Sequence, residues 1–484
     1  MVRLERCALA RTIVGVVALS ASVGFAQGDA LDRAARTMGA GELKTLRYTA
    51  DGTGYTFGQA FKPGLAWPKI KLHSVTRSIN YDTASMREEI VLSRAEALGG
   101  GGYPHTGEQR NDQYVSGTHA WNVAGNAPAP GPRYLADRIH QLWITPHGAL
   151  KAAMKNRASA RTQKTNGFTT VAFTEPGRFS ATVFISDAGI VERVESIAPD
   201  PVLGDTRSVT TYSDYRDVGS IKFPGRIRQT QGGFPVLDLT VHDVQPNAQV
   251  DVQVPEPVRS ATERVTVDKV ADGVWFLGGG SHNSVAIEMK DHLVLVETPL
   301  NEGRSGPVID AVRKLAPGKP IRYVINSHQH FDHSGGLRTA AAEGATIVTQ
   351  AANKPYFEKA FAVPNAIAPD RLAKSGKRAQ FRTVGDRMTM SDGSRNIELH
   401  HIRDSNHTDS FLLVYLPKEK LLIEADAFTP GPPNAPPPKQ PNPNHTNLIE
   451  NIERLNLSVD RILPLHGRVA PVAELYTAAG AKMR

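Results

Sequence analysis

The feature that most constrains this chain is a short histidine-rich segment at residues 326–336, Asn-Ser-His-Gln-His-Phe-Asp-His-Ser-Gly-Gly. It places His328, His330, Asp332 and His333 within six residues. An apolar run at 321–325 precedes the segment and a helix-like run at 337–343 follows it. Open α/β folds carry their chemistry where strands end. Because the histidines of a helical zinc motif fall four residues apart, this spacing instead indicates a tight loop wrapped around metal.

The amino terminus has the pattern of a secretory signal peptide. Three arginines precede an apolar core at residues 12–21, and Gly24 and Ala26 supply the small residues that signal peptidase requires. We expect residues 1–26 to be removed and the protein to be periplasmic or secreted, the alternative being an uncleaved amphipathic terminus. No other apolar run approaches the roughly 20 residues of a membrane span, so no integral membrane segment is expected after cleavage.

Any metal in the mature protein must be bound by histidine and carboxylate side chains. The single cysteine, Cys7, lies inside the predicted signal. Disulfides, thiolate ligands and a cysteine nucleophile are therefore excluded from the mature chain. The net charge of +8 is modest for 484 residues, and no run of basic residues stands out. Nucleic-acid binding gains little support, and we expect a small-molecule substrate; the sequence does not specify an oligomeric state.

Residues 27–257 are predicted to form a mainly antiparallel β domain with one or two helices. Short runs of alternating polar and apolar residues recur at regular spacing between turns. An amphipathic helix is predicted over 133–143, with Pro146 ending it. The Gly/Pro-rich loop at 98–132 indicates a mobile surface segment. A proline-rich linker ends at Pro257.

Part of this first half is similar to the curved sheets of periplasmic lipoprotein-carrier proteins. The similarity lies in residues 212–224, Tyr-Ser-Asp-Tyr-Arg-Asp-Val-Gly-Ser-Ile-Lys-Phe-Pro. It implies a sheet that binds an apolar ligand. A sheet that merely packs against the second half of the chain explains the same residues.

Residues 258–484 mix strand and helix patterns, which predicts a sheet-centred domain with helices outside and an α+β class for the whole chain. Three further candidate ligands lie downstream of the histidine-rich segment. His407 precedes an apolar run, whereas Asp426 and His466 each follow one. Together with the earlier cluster, they give a donor set large enough for two metal ions.

With these residues in this order, the region from about residue 260 onward resembles the metallo-β-lactamase superfamily. The resemblance implies an αββα sandwich. It assigns His328, His330 and His407 to a first metal, Asp332, His333 and His466 to a second, and Asp426 to a bridge between them. Glu297 stands where the family usually has an aspartate that supports the ligands.

The resemblance also implies a hydrolase with two zinc ions, which are expected in preference to iron or manganese. A hydroxide held between the ions would attack an ester, lactone, thioester or amide carbonyl. Asp332 is the predicted catalytic residue, because it can orient this nucleophile and move its proton.

Two other functions stay open on sequence grounds. One is a periplasmic carrier of lipid or another apolar ligand, with a subsidiary metallo-domain, and the other is a β-lactamase proper. Four further histidines, His282, His400, His401 and His445, are predicted to support the site or lie on the surface. The proline-rich segment 430–443 could form one wall of the active site, bind a partner protein or simply connect two elements.

Overall fold

The computed structural model describes residues 24–100, 107–125, 127–434 and 436–482. Nearly all of the predicted signal peptide lies outside these residues, as do residues 101–106 and 126 of the segment predicted to be a Gly/Pro-rich loop. Strands occupy residues 109–116, 119–124 and 127–130 of that segment, so the prediction of a loop was wrong there. Within the described part of the chain, no helix has the length and apolar character needed to cross a membrane.

The first half of the chain forms one thirteen-stranded antiparallel sheet, which confirms the predicted β-rich meander. The strands lie in the order β6-β5-β4-β3-β2-β1-β13-β12-β11-β10-β9-β8-β7. Their alternating patterns bury one face; in β9, for example, Phe179, Ala181, Val183 and Ile185 are buried and the residues between them are not. The strands are β1 Thr45–Tyr55, β2 Lys69–Asn80, β3 Ser85–Arg94, β4 Gln109–Ser116, β5 His119–Ala124, β6 Ala127–Pro130, β7 Arg161–Thr165, β8 Phe168–Glu175, β9 Phe179–Ser186, β10 Val191–Asp200, β11 Gly204–Val218, β12 Ile221–Gln231 and β13 Phe234–Pro246.

Three α-helices accompany this sheet, where the sequence predicted one or two. They are α1 Gly24–Met38, α2 Leu135–Trp143 and α3 Pro146–Lys155, and residues of all three join its hydrophobic core. Pro146 does not simply end the predicted helix but begins the next one. A first-turn proline loses no intrahelical hydrogen bond, and the Thr145 side chain caps the helix by accepting a hydrogen bond from the Gly148 amide at 3.2 Å.

The second half contains two sheets, with strand orders β14-β15-β16-β17-β18-β19-β20 and β21-β22-β23-β24-β25-β26. Apolar residues from both sheets share one core, so the sheets face each other. The strands are β14 Thr266–Ala271, β15 Val274–Gly278, β16 Ser284–Glu288, β17 Leu293–Val296, β18 Ile321–Ile325, β19 Thr346–Gln350, β20 Gln380–Val384, β21 Arg387–Ser391, β22 Asn396–His401, β23 Leu412–Leu416, β24 Leu421–Glu424, β25 Arg461–Pro464 and β26 Ala470–Pro471.

Helices pack against these two sheets, which confirms the predicted mixture of strands and helices. Helices α5, α7, α8 and α9 contribute to a second core on the seven-stranded sheet, and α10 and α11 join the core shared with the six-stranded sheet. The helices are α4 Glu256–Arg259, α5 Glu302–Leu315, α6 Phe331–Ser334, α7 Leu337–Ala342, α8 Asn353–Phe361, α9 Arg371–Ser375, α10 Pro443–Arg454 and α11 Val472–Ala478.

Candidate metal centre

The histidine-rich segment forms the loop after β18, which carries His328 and His330, and the short helix α6, which carries Asp332 and His333. Strand β18 runs parallel to β17 and β19, so the carboxyl ends of these strands meet at one edge of the sheet. The buried Asn326 fixes the start of the loop. Its side-chain amide donates to the His328 carbonyl at 2.7 Å, and its side-chain oxygen accepts from Thr349 at 3.1 Å.

Three histidines converge on one point at this edge. The His330 Nδ1 atom lies 3.0 Å from His328 Nε2 and 2.9 Å from His407 Nε2, and the last two atoms are 3.3 Å apart. All three residues are buried. Nitrogens that bind one zinc ion tetrahedrally at 2.0–2.1 Å lie about 3.3 Å from one another. The three rings are therefore spaced as ligands of a single metal ion would be.

A second group of donors lies beside the first and contains His282, Asp332, His333 and His466. His333 Nε2 lies 3.0 Å from His466 Nε2, and His282 Nε2 lies 3.2 Å from Asp332 Oδ2. Their ligand atoms all lie within 4.8 Å of one another. The group has the nitrogen and oxygen donors that a second divalent metal requires.

Asp426, which follows β24, lies between the two groups. Its Oδ2 atom is 2.8 Å from His333 Nε2 and 3.4 Å from both His328 Nε2 and His407 Nε2, while Oδ1 is 3.2 Å from His466 Nε2. Oδ2 is buried and receives no hydrogen bond of acceptable geometry from the described residues. A buried carboxylate oxygen without such a bond is costly. A metal ion would satisfy it, so the donor set fits the group that the superfamily implies.

The protonation states of four donors suit metal binding, which requires neutral imidazoles and ionised carboxylates. Burial lowers the pKa of His330 to about 3 and lowers that of His328 well below its usual value, so both rings are neutral. Burial alone would raise the pKa of Asp332 and Asp426, but the neighbouring His333 holds both well below the ordinary range. The two carboxylates in turn raise the pKa of His333 despite its burial, so a metal ion would have to displace the proton of this ring.

Hydrogen bonds fix which ring nitrogen of each histidine faces the centre. Ser327 donates to Glu297 and lies 3.0 Å from His328 Nδ1, so it accepts from that nitrogen and leaves His328 Nε2 free for metal. The Glu297 Oε2 atom also lies 3.1 Å from His333 Nδ1. Fully buried Glu297 thus contacts Ser327, which supports His328, and also contacts the donor His333 directly.

The first sheet also contacts this centre, through the segment between β1 and β2. Gln59 donates from Nε2 to Asp332 Oδ1 at 2.8 Å. The Ala60 carbonyl lies 3.0 Å from His330 Nε2, and it accepts from the Gln329 side chain at 2.7 Å. Because neutral His330 donates from Nε2 to this carbonyl, its Nδ1 is left as an acceptor facing the centre.

Close packing accompanies these hydrogen bonds. The ring centroids of Phe57 and Trp67 lie 5.3 and 5.6 Å from that of Phe331, which belongs to the metal loop. Gly58 has a φ of +80°, and a Cβ there would lie 2.5 Å from the Phe331 ring. A Cβ at Gly100 would lie 2.5 Å from the His330 ring. Only glycine permits this approach of the first half to the loop.

The structure brings together all seven residues predicted as metal ligands, and it adds others that the sequence analysis missed. His282 was predicted to be a supporting or surface residue, yet it belongs to the second donor group. Gln59 and Ala60 were not considered, since they lie about 270 positions away from their partners. His400 and His401 bond instead to Glu398 at 3.0 Å and to the Asp409 carbonyl at 2.6 Å.

Comparison with known proteins supports the predicted resemblance. Residues 277–466 match the family model of the metallo-beta-lactamase superfamily. This match confirms the predicted resemblance of the C-terminal region to that superfamily, and it covers less than half of the chain.

Individual relatives are distant. The 2,4-dinitroanisole O-demethylase subunit alpha of Nocardioides sp. (strain JS1661) is 26% identical over 184 residues, which are 38% of this chain and 52% of the relative. The chain thus matches only about half the length of this curated relative. A metallo-beta-lactamase from Pontibacter korlensis is 17% identical over 45% of this chain and 98% of its own, with a TM-score of 0.34. A rubredoxin oxygen:oxidoreductase from Desulfovibrio gigas is 19% identical over 44% of this chain and 60% of its own, with a TM-score of 0.35.

The contact from Gln59 generates a prediction for metal affinity. In Gln59→Ala, Asp332 loses the hydrogen bond that orients its carboxylate, so we expect the Kd for Zn²⁺ to rise about 10–100-fold. Competition with a chromophoric chelator measures this change. The control is Gln163→Ala, an exposed glutamine on β7. An unchanged Kd in Gln59→Ala would show that the first sheet does not support the centre.

Proposed function

We propose that residues 258–484 form a dinuclear, zinc-dependent hydrolase domain with the αββα arrangement of its superfamily. The proposed reaction is hydrolysis of an ester, lactone, thioester or amide carbonyl. The observation that carries this proposal is the position of Asp426, whose carboxylate contacts histidines of both donor groups. A carboxylate so placed suits a pair of ions better than a single structural ion.

In this proposal His328, His330 and His407 would hold the first ion, and Asp332, His333 and His466 would hold the second. Asp426, which lies between the two groups, would be available to both, and His282 lies beside Asp332. When bound, such ions supply a Lewis acid for the carbonyl oxygen and lower the pKa of an attached water to about 7. The imidazole and carboxylate donors of both groups suit zinc.

Asp332 is proposed as the residue that moves the proton. Its Oδ1 is held by Gln59, and its Oδ2 faces His282. The attacking water forms a bond to the carbonyl carbon as Asp332 accepts its proton. The bond from that carbon to the leaving oxygen, sulfur or nitrogen then breaks, and the proton passes to the leaving atom.

The relatives widen the range of substrates to be tested. The activity in the name of the O-demethylase subunit belongs to that protein, but it adds an aryl methyl ether to the substrates to be tested with this chain. A β-lactam tests the alternative of a β-lactamase proper. If the protein is isolated with bound lipid, binds metal and hydrolyses none of these substrates, the alternative function as a carrier of apolar ligands would be favoured.

Metal removal followed by a substrate panel tests the proposal. We expect the chelated protein to lose hydrolysis and two equivalents of Zn²⁺ per chain to restore it, because the donor groups together form two sites. Metal content is measured by mass spectrometry, and hydrolysis is measured with lactone, thioester, ester, β-lactam and aryl ether substrates. Activity that survives complete metal removal would refute the proposal.

A variant of Asp332 separates its proposed role in proton transfer from metal binding. Asp332→Asn keeps the shape of the side chain but cannot accept the proton, so kcat should fall about 10²–10⁴-fold. The comparison is valid at equal metal content, which is measured in the same samples. Near-normal kcat in a fully loaded variant would remove Asp332 from the mechanism.

We also propose that residues 1–26 are a cleaved signal peptide and that the protein acts in the periplasm or outside the cell. The pattern of arginines, apolar residues and small residues supports this destination. Intact-mass measurement on protein isolated from its own host should give a chain that begins at Gln27. A chain that retains residues 1–26 and is found in the cytoplasm would contradict it.

A further inference from the structure

A large cavity extends from the first sheet to the candidate metal centre. Its volume is about 1220 Å³, and its walls include Asp332, His407 and Asp426 together with residues of β1, β2, β3 and β13. Small-molecule sites typically occupy about 300–1,000 Å³. The cavity therefore has room for a substrate larger than a typical small ligand, and it places that substrate against both halves of the chain.

A continuous apolar band lines the part of the cavity that lies on the first sheet. The band consists of Ile70, Leu72, Val75, Ile90, Leu92 and Leu237. Leu72 lies directly opposite Leu92 across β2 and β3, and Val75 lies opposite Ile90. Paired residues of neighbouring strands project from the same face, so these side chains form one surface.

Gly54 joins the two sides of this band. It pairs with Ile70 of β2 on one side and with Leu237 of β13 on the other. A Cβ at position 54 would lie 3.1 Å from Ile70 Cγ1 and 3.2 Å from Leu72 Cδ1. The missing side chain thus lets the aliphatic groups of the neighbouring strand spread over β1.

The band retains exposed apolar surface in the protein alone. Ile70, Ile90, Leu92 and Leu237 are each only partly buried. A ligand that covers aliphatic surface is favoured in proportion to the area removed from water. The band therefore suits the hydrocarbon part of a substrate.

Two arginines beside the band have partners within the protein. Arg77 contacts Glu88 at 2.6 Å between β2 and β3, and Arg94 donates to the Gly99 carbonyl at 2.8 Å. The band itself contains only aliphatic side chains. The part of the occupant that lies on it is therefore expected to be uncharged, because a charge there would be removed from water without a partner.

The band also lies within one substrate's length of the reacting groups. Gly54 and Gln59 are five residues apart on β1 and the segment that follows it, and Gln59 donates to Asp332. A chain of five residues spans at most about 18 Å. Phe57 and Phe331 line the cavity between these points.

We propose that this cavity is the substrate chamber of the metal centre, and that it takes a carbonyl substrate with an elongated, uncharged, apolar body. The apolar band holds this body while the hydrolysable carbonyl lies beside Asp332 and Asp426. The inference rests on the proposed hydrolase function and adds to it a substrate class and a role for the first sheet.

Acyl-chain length provides the first arm of the test. With the metal-loaded protein and nitrophenyl esters from acetate to decanoate, kcat/KM should rise by about two- to fourfold per methylene, because each buried methylene favours binding. In Leu92→Gln and Ile90→Gln this rise with chain length should be largely lost. Leu92→Met keeps an apolar side chain and should keep the rise, and Val267→Gln, on the exposed face of β14, is the surface control.

A binding arm keeps the inference separate from the hydrolase proposal. An uncharged naphthyl fluorophore should bind the metal-loaded protein, and its Kd should increase about tenfold in Leu92→Gln and in Ile90→Gln. If no ester is hydrolysed but binding weakens in this way, the hydrolase proposal fails and the apolar site stands without its catalytic role. Two results would contradict the proposed substrate chamber. One is a kcat/KM that does not rise with acyl-chain length in the wild type, and the other is a fluorophore Kd that increases in neither variant.

Discussion

The structure brings polar side chains together in a buried site, which costs desolvation free energy. Six imidazoles and two carboxylates approach one another at the edges of two sheets, and most of them are removed from water. Burial keeps His328 and His330 neutral, and the ionised Asp332 and Asp426 depend on neighbouring positive charge. Such a cluster is poorly satisfied by protein groups alone. A divalent metal ion would compensate for the loss of water around these groups. We therefore interpret the fold as a scaffold for a metal centre.

The two halves of the chain act on this centre together. The second half supplies the candidate metal donors, which lie close to the ends of its strands, and the first half supplies Gln59 and the Ala60 carbonyl, which bond to Asp332 and His330. Glycines at 58 and 100 permit the close approach. The first sheet is therefore part of the site and not only a neighbour of it. The cavity that runs between them extends the same arrangement from metal support to substrate binding.

Much of the donor set could be predicted from the sequence, because four of its members lie within one loop and the other three lie beside apolar strands. Local patterns also predicted the β-rich first half and the mixed second half. His282 was predicted only as a supporting or surface residue, because a single histidine after a glycine run carries no signal of its own. Gln59 could not be found at all, since no local pattern links residues 273 positions apart. Pro146 was misread because a proline that follows one helix can equally begin another.

The most direct test of the central claim is anomalous diffraction at the zinc absorption edge from crystals of the zinc-loaded protein. The account predicts two peaks, one among His328, His330 and His407 and one among Asp332, His333 and His466, with the Asp426 carboxylate between them. A single peak, or two peaks of which neither adjoins Asp426, would contradict a dinuclear centre.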